Sequence, residues 1–429
     1  MEIAMTGSAN TSQKTSAPTR TVAAASFGNV LEIYDFIVYG IFAIPISKTF
    51  FPEASAQNAL ILTFITFAAG FLSRPLGAFV LGRYADRCGR KKALSLTLIL
   101  MALGTVVPAL CPGYASIGIA APLIVLVGRL IQGFSAGGEV GSVVAMLVEN
   151  APPSQKNFYA SFQQASQDIG ILLGGLMGLV LVYFFTEDEM VSGAWRIAFF
   201  FGLLIGPVGW YIRRSIPETS TFQSQEKASR EPFWKLFAKN WLALLAGLSI
   251  MVFWTVSNYL TNYMTTYSVK ELHLSFSNSY YSLISYGLVI AISSPLVARL
   301  ADKIGTKKVI LFGAGVSAVV AYPLFVILTR YPSVETLITV QSILGILSSC
   351  YGACASAFLA GLFPTSFRVT GVNIAYSVGV TVFGGFTPAA ITILINLTGN
   401  NLVAGYYLAV AAAISSIGVL VFHKRSARC

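Results

Sequence analysis

The chain contains 429 residues, of which 55% are hydrophobic and only 10% are charged, and it carries a formal net charge of +11. Because soluble proteins have about a quarter charged residues, this composition excludes an ordinary soluble globular fold. The five cysteines show no metal-ligand spacing, and no catalytic or nucleotide-binding motif appears, so we expect no metal, no cofactor and no enzyme activity.

Apolar runs of about 20 residues, the length that crosses a bilayer, predict an all-α membrane protein with twelve transmembrane helices. The predicted spans lie near residues 22–50, 58–81, 93–111, 120–149, 158–185, 194–214, 241–267, 279–298, 309–329, 335–363, 372–397 and 402–422. The polar stretch 215–240 separates two six-helix bundles, 21–214 and 241–422, and its charge pattern indicates an amphipathic cytoplasmic linker. Short cytoplasmic tails are predicted at 1–20, which lacks the apolar core of a signal peptide, and at 423–429.

The distribution of lysine and arginine predicts the orientation, because cytoplasmic loops of membrane proteins are enriched in positive charge. With both termini in the cytoplasm, most basic residues lie inside, and only Lys48, Arg196, Lys270 and Arg330 lie outside. Orientation in a lipid bilayer therefore accounts for the basic excess, and we expect no nucleic-acid partner.

A short basic sequence joins the second and third spans and recurs between the eighth and ninth. The first copy, at 82–92, reads GRYADRCGRKK, and the second, at 298–308, reads ARLADKIGTKK. A basic turn used once per half predicts two related, pseudo-symmetric bundles. In membrane proteins this architecture is typical of transport by one half rocking against the other.

The first copy resembles the signature loop of the major facilitator superfamily. Three further stretches resemble its metabolite:proton symporter family, namely GNVLEIYDF at 28–36, RPLGA at 74–78 and GRLIQGFSAGGE at 128–139. FGGFTP at 383–388, with Gly399 and Asn400, looks most like the citrate and tricarballylate branch. The resemblance covers residues 21–422 and implies a monomeric proton symporter of the bacterial inner membrane. Related members carry shikimate, 2-oxoglutarate, proline or glycine betaine, so the substrate stays open.

Ionisable residues within membrane spans are costly in lipid and commonly serve function. In this chain they all fall in the first half, at Glu32, Asp35, Arg74, Arg129, Glu139 and Asp168. Both histidines, His273 and His423, lie outside the predicted spans. Any proton must therefore be carried by a carboxylate.

Glu32 and Asp35 share one face of the first helix, and Arg129 lies at a depth of the fourth helix that could match Asp35. Sugar–proton symporters of the superfamily have an acid and an arginine at similar positions. The resemblance therefore implies that Asp35 carries the proton and that Arg129 is its partner. The alternative is a static buried pair that holds two helices together.

Glu139 lies within a Gly133-x-x-x-Gly137-x-x-x-Gly141 pattern, which permits close approach of two backbones. We interpret the glycines as packing devices. Glu139 itself is either a second proton site or gate, or a structural hydrogen-bonding group.

Amides at helical spacing on otherwise apolar helices suit a carboxylate or hydroxyl substrate, although helix–helix hydrogen bonding is the alternative. The candidate substrate-binding residues are Arg129, Gln163, Gln164, Gln167, Asn258, Asn262, Tyr263, Asn373 and Tyr376. Asp168 is awkward beside an anion site, since it would repel substrate unless protonated or paired. It also replaces the amide that is usual in the citrate branch.

The repeated turn supplies a candidate cytoplasmic gate, in which acids near helix ends and an arginine–glutamate network lock the halves together. Its candidate residues are Gly82, Asp86, Arg87, Gly89, Arg90, Glu149, Asp302 and Lys303. Because Thr306 replaces the equivalent of Arg90 in the second copy, we expect the second gate to be weaker.

These patterns favour proton-coupled uptake of a small organic acid, a tri- or dicarboxylate such as citrate or tricarballylate. A single arginine supplies little positive charge for three carboxylates, which leaves a zwitterion, 2-oxoglutarate or shikimate as alternatives. A proton-driven exporter is disfavoured because the glycine-rich fifth helix, 170–178, contains no proline. A transporter-like sensor would be expected to carry a signalling domain or to have lost its membrane charges, and neither holds.

Overall fold

The computed structural model of the protein describes residues 29–30, 32–88, 90–138, 140–149, 151–203, 207, 233–364 and 368–426. These residues are almost entirely helical and contain no strand. Their helices follow one another as twelve spans, which we number α1 to α12. The all-α architecture predicted from the apolar runs is therefore confirmed.

The spans of the first half are α1 (Glu32–Ile41 and Ala43–Phe50), α2 (Ala56–Leu72 and Arg74–Cys88), α3 (Arg90–Leu110), α4 (Ala120–Ala136 and Val140–Glu149), α5 (Lys156–Phe184) and α6 (from Arg196–Leu203). Those of the second half are α7 (Phe233–Lys270), α8 (Tyr281–Ile304), α9 (Thr306–Arg330), α10 (Val334–Gly361), α11 (Arg368–Gly379, a π-helical Val380–Gly385, and Thr387–Thr398) and α12 (Val403–Ser426). Helix α7 begins inside the stretch predicted as linker, whose residues 215–232 lie outside the described residues.

Eight of the described helices are long and apolar enough to cross a membrane, and α1 makes a ninth if its two bent segments form one span. The segments of α1 meet at 65° just before Pro45. Proline cannot donate to the carbonyl four residues earlier, so it bends the helix there. That freed carbonyl, of Ile41, instead accepts a hydrogen bond from Thr265 of α7 at 3.5 Å.

Glycines bring α2 and α4 into backbone contact, as the glycine pattern predicted. A methyl group added at Gly133 would collide with the carbonyl of Gly70, and one added at Gly137 would collide with that of Arg74. This contact fixes the depth of Arg129, which stands one helical turn before Gly133. The packing interpretation of these glycines is confirmed.

The two halves meet along α5, which packs against α8 and α10, and along α2 and α4, which pack against α11. Large apolar side chains on the opposite faces stay exposed, among them Val319 of α9 and Ile417 of α12. Such faces suit contact with lipid tails. The polar residues of the spans therefore lie between the halves or inside a bundle.

Candidate functional site

Asp35 lies inside the first bundle and is 2% exposed. Its Oδ2 accepts hydrogen bonds from the Thr105 hydroxyl of α3 and from the Gln132 amide of α4, the latter at 3.1 Å. Its Oδ1 has no protein partner among the described residues, and faces the bare Cα of Gly202 in α6. One oxygen of the carboxylate is thus held and the other is left uncommitted.

Arg129 does not contact Asp35 directly, and the two are joined through Gln132. The guanidinium donates to the Gln132 amide oxygen at 2.6 Å and to the Phe36 carbonyl at 3.1 Å. Three aromatic rings surround it, with centroids 4.4–5.1 Å away, and they belong to Phe36, Tyr39 and Phe67. A fully buried cation is stabilised by such faces. Arg129 therefore keeps partners whatever the charge of Asp35.

Gln132 and Thr105 are functional candidates that sequence reasoning missed. Gln132 follows Arg129 by three residues and so shares its helix face, which was a usable signal. Thr105 on α3 offered none, because nothing in the sequence places α3 against α1 at that depth.

A second set of polar residues lines a small cavity between the halves, formed by α1, α5, α7 and α11. Its volume is about 20 Å³, enough for roughly one water molecule. Four predicted substrate-binding residues line it, namely Gln167, Asn258, Asn262 and Tyr376. A di- or tricarboxylate does not fit unless the halves move apart, so the structure shows a closed state.

Aromatic side chains of α7 also line this cavity. Trp254 and Tyr259 lie on its wall, and the Gln167 amide donates to the Tyr376 hydroxyl at 2.9 Å across the cleft. Trp254 was not predicted, although it stands one helical turn before Asn258 and so shares its face. The cavity is thus lined by amide and hydroxyl groups together with aromatic side chains.

The other predicted substrate-binding residues lie away from the cavity in this state. The Gln163 amide oxygen accepts from Ser356 of α10 at 2.9 Å. Asn373 accepts from the backbone of Gly141 at 2.7 Å, which joins α11 to α4. Tyr263 packs edge-on against Phe64, with ring centroids 5.7 Å apart. These three residues hold helices together, the alternative role recognised from the sequence.

Glu32 and Arg74 lie at the first-half edge of the cleft, and both are close enough to Tyr259 and Tyr376 to interact electrostatically. Arg74 is 1% exposed, and its guanidinium stacks over Phe36 at 4.6 Å. A second buried cation therefore stands near the cavity, although sequence reasoning assigned it no role.

Asp168 and Gln164 form a further buried group on α5. The Gln164 amide nitrogen donates to Asp168 Oδ2, and the Trp254 indole donates to the Gln164 amide oxygen. Asp168 is completely buried, and its Oδ1 has no protein partner within the described parts of the chain. Its environment is therefore poor in compensating groups.

Asp302 of the second basic turn binds the first turn of α5. It accepts from the backbone amides of Asn157 and Phe158, both at 3.0 Å, and from the Asn157 side chain at 2.8 Å. Free amides and the helix dipole at a helix start favour an anion. Asn157 also donates to Thr306 at 2.9 Å, so the residue that replaces the arginine still takes part in the contact.

The turn itself depends on Gly305, which separates α8 from α9 and adopts φ of +102°, a conformation that side chains disfavour. Nearby, Arg299 stacks over the Phe158 ring at 4.3 Å, and Lys303 is exposed. The second turn thus connects the halves at their predicted cytoplasmic end.

The first copy of the turn is described only in part. Gly89 and Glu139 lie outside the described residues, and only the helical backbone is described for Gly82, Asp86, Arg87, Arg90 and Glu149. Their predicted roles, and the expected weakness of the second gate relative to the first, stay predictions.

A larger cavity of about 270 Å³ lies at the other end of the molecule, where α1 and α7 finish. Lys48 of the first half and Lys270 of the second half both line it. Burial raises the pKa of the neighbouring Glu271 carboxyl, although His273 and Lys270 oppose the shift. Two cations from different halves thus converge on one opening.

The sequence matches the family model described as "Major Facilitator Superfamily" over residues 25–285 and 282–428. The chain belongs to the major facilitator superfamily. It is therefore a multi-pass membrane protein of a transporter superfamily, as the basic turn and the twelve spans predicted.

Among curated relatives, a citrate-proton symporter of Klebsiella pneumoniae is 39% identical, with 93% of this chain and 90% of the relative aligned. A putative proline/betaine transporter of Staphylococcus aureus is 34% identical, over 94% of this chain and 87% of the relative. Among solved structures, the proton:xylose symporter XylE of E. coli superposes with a TM-score of 0.78 at 16% identity, over 95% of this chain and 96% of XylE. The last similarity concerns the fold alone.

Proposed function

We propose that the protein is a proton-coupled symporter that takes up a small carboxylic acid across the bacterial cytoplasmic membrane, with both termini in the cytoplasm. The observation that carries the proposal is the buried Asp35 carboxylate, one oxygen of which is held through Thr105 and Gln132 while the other has no protein partner. Such a group binds a proton when closed away from water and releases one when hydrated. The citrate-proton symporter relative supports the same direction.

Arg129 sets the charge balance around this proton. When Asp35 is ionised, its charge is offset through Gln132 by the guanidinium. When Asp35 is neutral, the aromatic rings and the Phe36 carbonyl still stabilise the cation. Both protonation states therefore fit the same packing, which is what a switch requires. A static ion pair would instead hold one state.

The substrate is an organic acid in this proposal, most simply a tri- or dicarboxylate such as citrate or tricarballylate. The amides and hydroxyls on the cavity wall can donate to carboxylate oxygens, and Arg74 supplies a buried positive charge at its edge. An inside-negative membrane potential opposes inward movement of an anion unless the accompanying protons at least neutralise its charge. Citrate therefore enters with several protons or in partly protonated form.

A zwitterion such as proline or glycine betaine is the second candidate, and a specific observation favours it. Trp254, Tyr259 and Tyr376 line the cavity, and the faces of aromatic rings can bind quaternary or secondary ammonium groups. The putative proline/betaine relative points the same way. The aromatic residues around the cavity thus favour a zwitterion, whereas the buried cation at its edge favours an organic acid.

Transport requires the two halves to separate in turn at each end. In this proposal, the hydrogen bonds of Asp302 to the start of α5 hold the cytoplasmic end closed. Opening that end breaks these bonds and widens the small cavity. Because the contact joins α8 to α5, the second basic turn acts as a gate between the halves.

Counterflow in proteoliposomes tests the substrate class. Vesicles loaded with each of citrate, tricarballylate, aconitate, succinate, 2-oxoglutarate, shikimate, proline and glycine betaine are assayed for exchange with labelled solute. We expect exchange of tri- or dicarboxylates. Exchange of a zwitterion with none of the acids would reverse the assignment.

Gradient-driven uptake tests the coupling. We expect accumulation to rise with an imposed inward proton gradient, and Asp35→Asn to lose most of that accumulation while retaining counterflow. Wild-type accumulation that is indifferent to the gradient would remove proton symport. Full accumulation by Asp35→Asn would remove Asp35 from the coupling.

A further inference from the structure

Asp168 is a buried titratable group for which the proposed mechanism has no use. It is 0% exposed at the middle of α5, it accepts one hydrogen bond, from Gln164, and its second oxygen has no protein partner among the described residues. None of the arginines and lysines described in the structure forms an ion pair with it. Burial of an ionised carboxylate with so little compensation is costly, so the closed state favours a bound proton.

The direction of the hydrogen bonds at Asp168 is fixed by Trp254. An indole N–H can only donate, so the Gln164 amide oxygen must face Trp254 and the amide nitrogen must face Asp168. Asp168 Oδ2 is therefore an acceptor in this arrangement. The oxygen left to hold a proton is Oδ1, the one without a partner.

The same arrangement occurs at Asp35. There too Oδ2 accepts from a glutamine amide, Oδ1 has no protein partner, and the glutamine oxygen accepts from a group that can only donate. At Asp35 that donor is the Arg129 guanidinium, and Thr105 adds a second bond. At Asp168 the donor is the neutral Trp254 indole. Asp35 and Asp168 thus share one hydrogen-bond arrangement but differ in how their negative charge is compensated.

We propose that Asp168 is a second proton-binding carboxylate, which the hydrogen-bond chain through Gln164 and Trp254 connects to the cavity between the halves. The proposal rests on the proposed function and adds a second proton to it. Trp254 lies on α7 and lines the cavity, whereas Gln164 and Asp168 belong to α5. Separation of the halves therefore breaks the Trp254 bond and frees the Gln164 amide.

The proposed proton transfer takes place between Asp168 and water. In the closed state that carries substrate, Asp168 is a neutral acid. When the cavity opens to the cytoplasm and water reaches the acid, Oδ1 gives its proton to that water and leaves a carboxylate that Gln164 still stabilises. The emptied protein returns with this carboxylate, which takes a proton from water once the cavity has opened to the opposite side. A substrate that enters as a dianion is then accompanied by two protons, one at Asp35 and one at Asp168.

Few other ionisable groups face Asp168 in the described structure. On α8, the Tyr286 hydroxyl is close enough to interact electrostatically with it, and donates to Asn258 of the cavity wall at 3.5 Å. Helix α7 contributes the neutral Trp254, and α10 contributes the bare Cα of Gly352 against Gln164. Tyr286 thus gives the acid a second connection to the cavity.

Infrared difference spectra of the purified protein in lipid nanodiscs, recorded between about pH 5 and about pH 9, detect a titrating carboxylic acid directly. We expect the protonated carbonyl band that fades as pH rises to contain two components in the wild type. Asp35→Asn should keep the component of Asp168, and Asp168→Asn should lose it and keep only the component of Asp35. Identical spectra for the wild type and Asp168→Asn would overturn the proposal. This readout needs no substrate, so it stands even if the proposed function fails.

Fluorescence provides a test that leaves Asp168 in place and so does not depend on the folding of Asp168→Asn. The difference in emission between the wild type and Trp254→Phe isolates the signal of Trp254. We expect that signal to change with pH in the wild type and to keep its change in Asp35→Asn. Emission of Trp254 that is constant across the same pH range would refute the connection between Asp168 and Trp254.

Accumulation at a clamped membrane potential then counts the protons. One proton fewer per substrate lowers the limiting accumulation ratio tenfold for each unit of pH gradient. We expect Asp168→Asn to show that loss while keeping gradient-driven uptake through Asp35. An unchanged ratio would overturn the second proton while leaving the proposed function intact. A wild type that ignores the gradient would instead refute the proposed function.

Discussion

Replacing Asp302 with alanine should open the predicted cytoplasmic end of the protein. The carboxylate accepts three hydrogen bonds from the start of α5, two from backbone amides and one from the Asn157 side chain. Hydrogen bonds to a charged group contribute about 1.5–3 kcal/mol each, and loss of a helix cap costs about 0.5–2 kcal/mol. Because Asp302 is only partly buried, we take about 2 kcal/mol for the set, which corresponds to roughly a 30-fold change in the equilibrium between closed and open states.

Electron paramagnetic resonance distances measure that equilibrium. Spin labels on cysteines introduced at the exposed positions Lys156 and Lys303, in a protein whose five native cysteines are replaced by serine, span the contact. We expect Asp302→Ala to transfer the distance distribution to a longer, open population. Glu335→Ala is the matched control, since Glu335 is an exposed acid in the first turn of α10 at the other end. A distribution that Asp302→Ala leaves unchanged would refute the gate.

Three further predictions concern the buried Asp35 and the cavity at the end of α7. Gln132→Leu removes the hydrogen-bond link between Asp35 and the Arg129 cation. Gradient-driven accumulation should then fall at least about tenfold, which corresponds to about 1.4 kcal/mol, while counterflow falls less. Equal losses in both assays would argue against a role of Gln132 in proton coupling. Gly202→Ala places a methyl group 2.8 Å from Asp35 Oδ1 and should impair transport, whereas Gly315→Ala, in open space, should not; equal activity of the two variants would contradict this. Lys270→Gln should slow uptake of an anion severalfold at low salt but little at high salt, because exposed charges are screened; salt-independent slowing would exclude electrostatic attraction.

The fold was largely predictable because lipid imposes a strong constraint on composition. Helices that cross a bilayer must satisfy their own backbone, so apolar runs of sufficient length revealed the spans. The end of the linker was the exception. Helix α7 starts at Phe233, among polar and charged residues, since a helix can continue beyond the membrane surface where hydropathy gives no signal.

For the candidate site, the sequence could predict only those residues whose charge is costly to bury in lipid. Asp35, Arg129 and Asp168 were singled out because charges are rare inside membrane spans, and the structure buries all three completely or nearly so. Which groups contact each other was not predictable. The separation of Asp35 from Arg129 by Gln132 depends on how α1, α3 and α4 pack, and a single sequence carries no information on that register.

The residues around the small cavity between the halves show the same limit of prediction from sequence. Gln167 and Asn258 line the cavity, whereas Asn373 accepts a backbone hydrogen bond from α4. All three are amides on polar faces, so their sequence patterns were equivalent. Their roles differ because α11 lies between α4, whose Gly141 backbone donates to Asn373, and α5, whose Gln167 amide donates to Tyr376 at the cavity. Which neighbour each side chain of α11 meets depends on the packing of the helices.

The glutamine between acid and cation has a physical consequence for switching. A carboxylate and a guanidinium about 4 Å apart attract each other by about 4 kcal/mol even at an effective dielectric constant of 20, and a direct pair of this kind would resist protonation of Asp35. An intervening amide lengthens the separation and weakens the attraction, yet it still transmits the orientation of the hydrogen bonds. Arg129 does not become an uncompensated charge when Asp35 is neutral, because three aromatic rings and a carbonyl stay in contact with it. In the proposed mechanism, both charge states of Asp35 are thereby brought closer in free energy, and a change in hydration as the halves move apart selects between them.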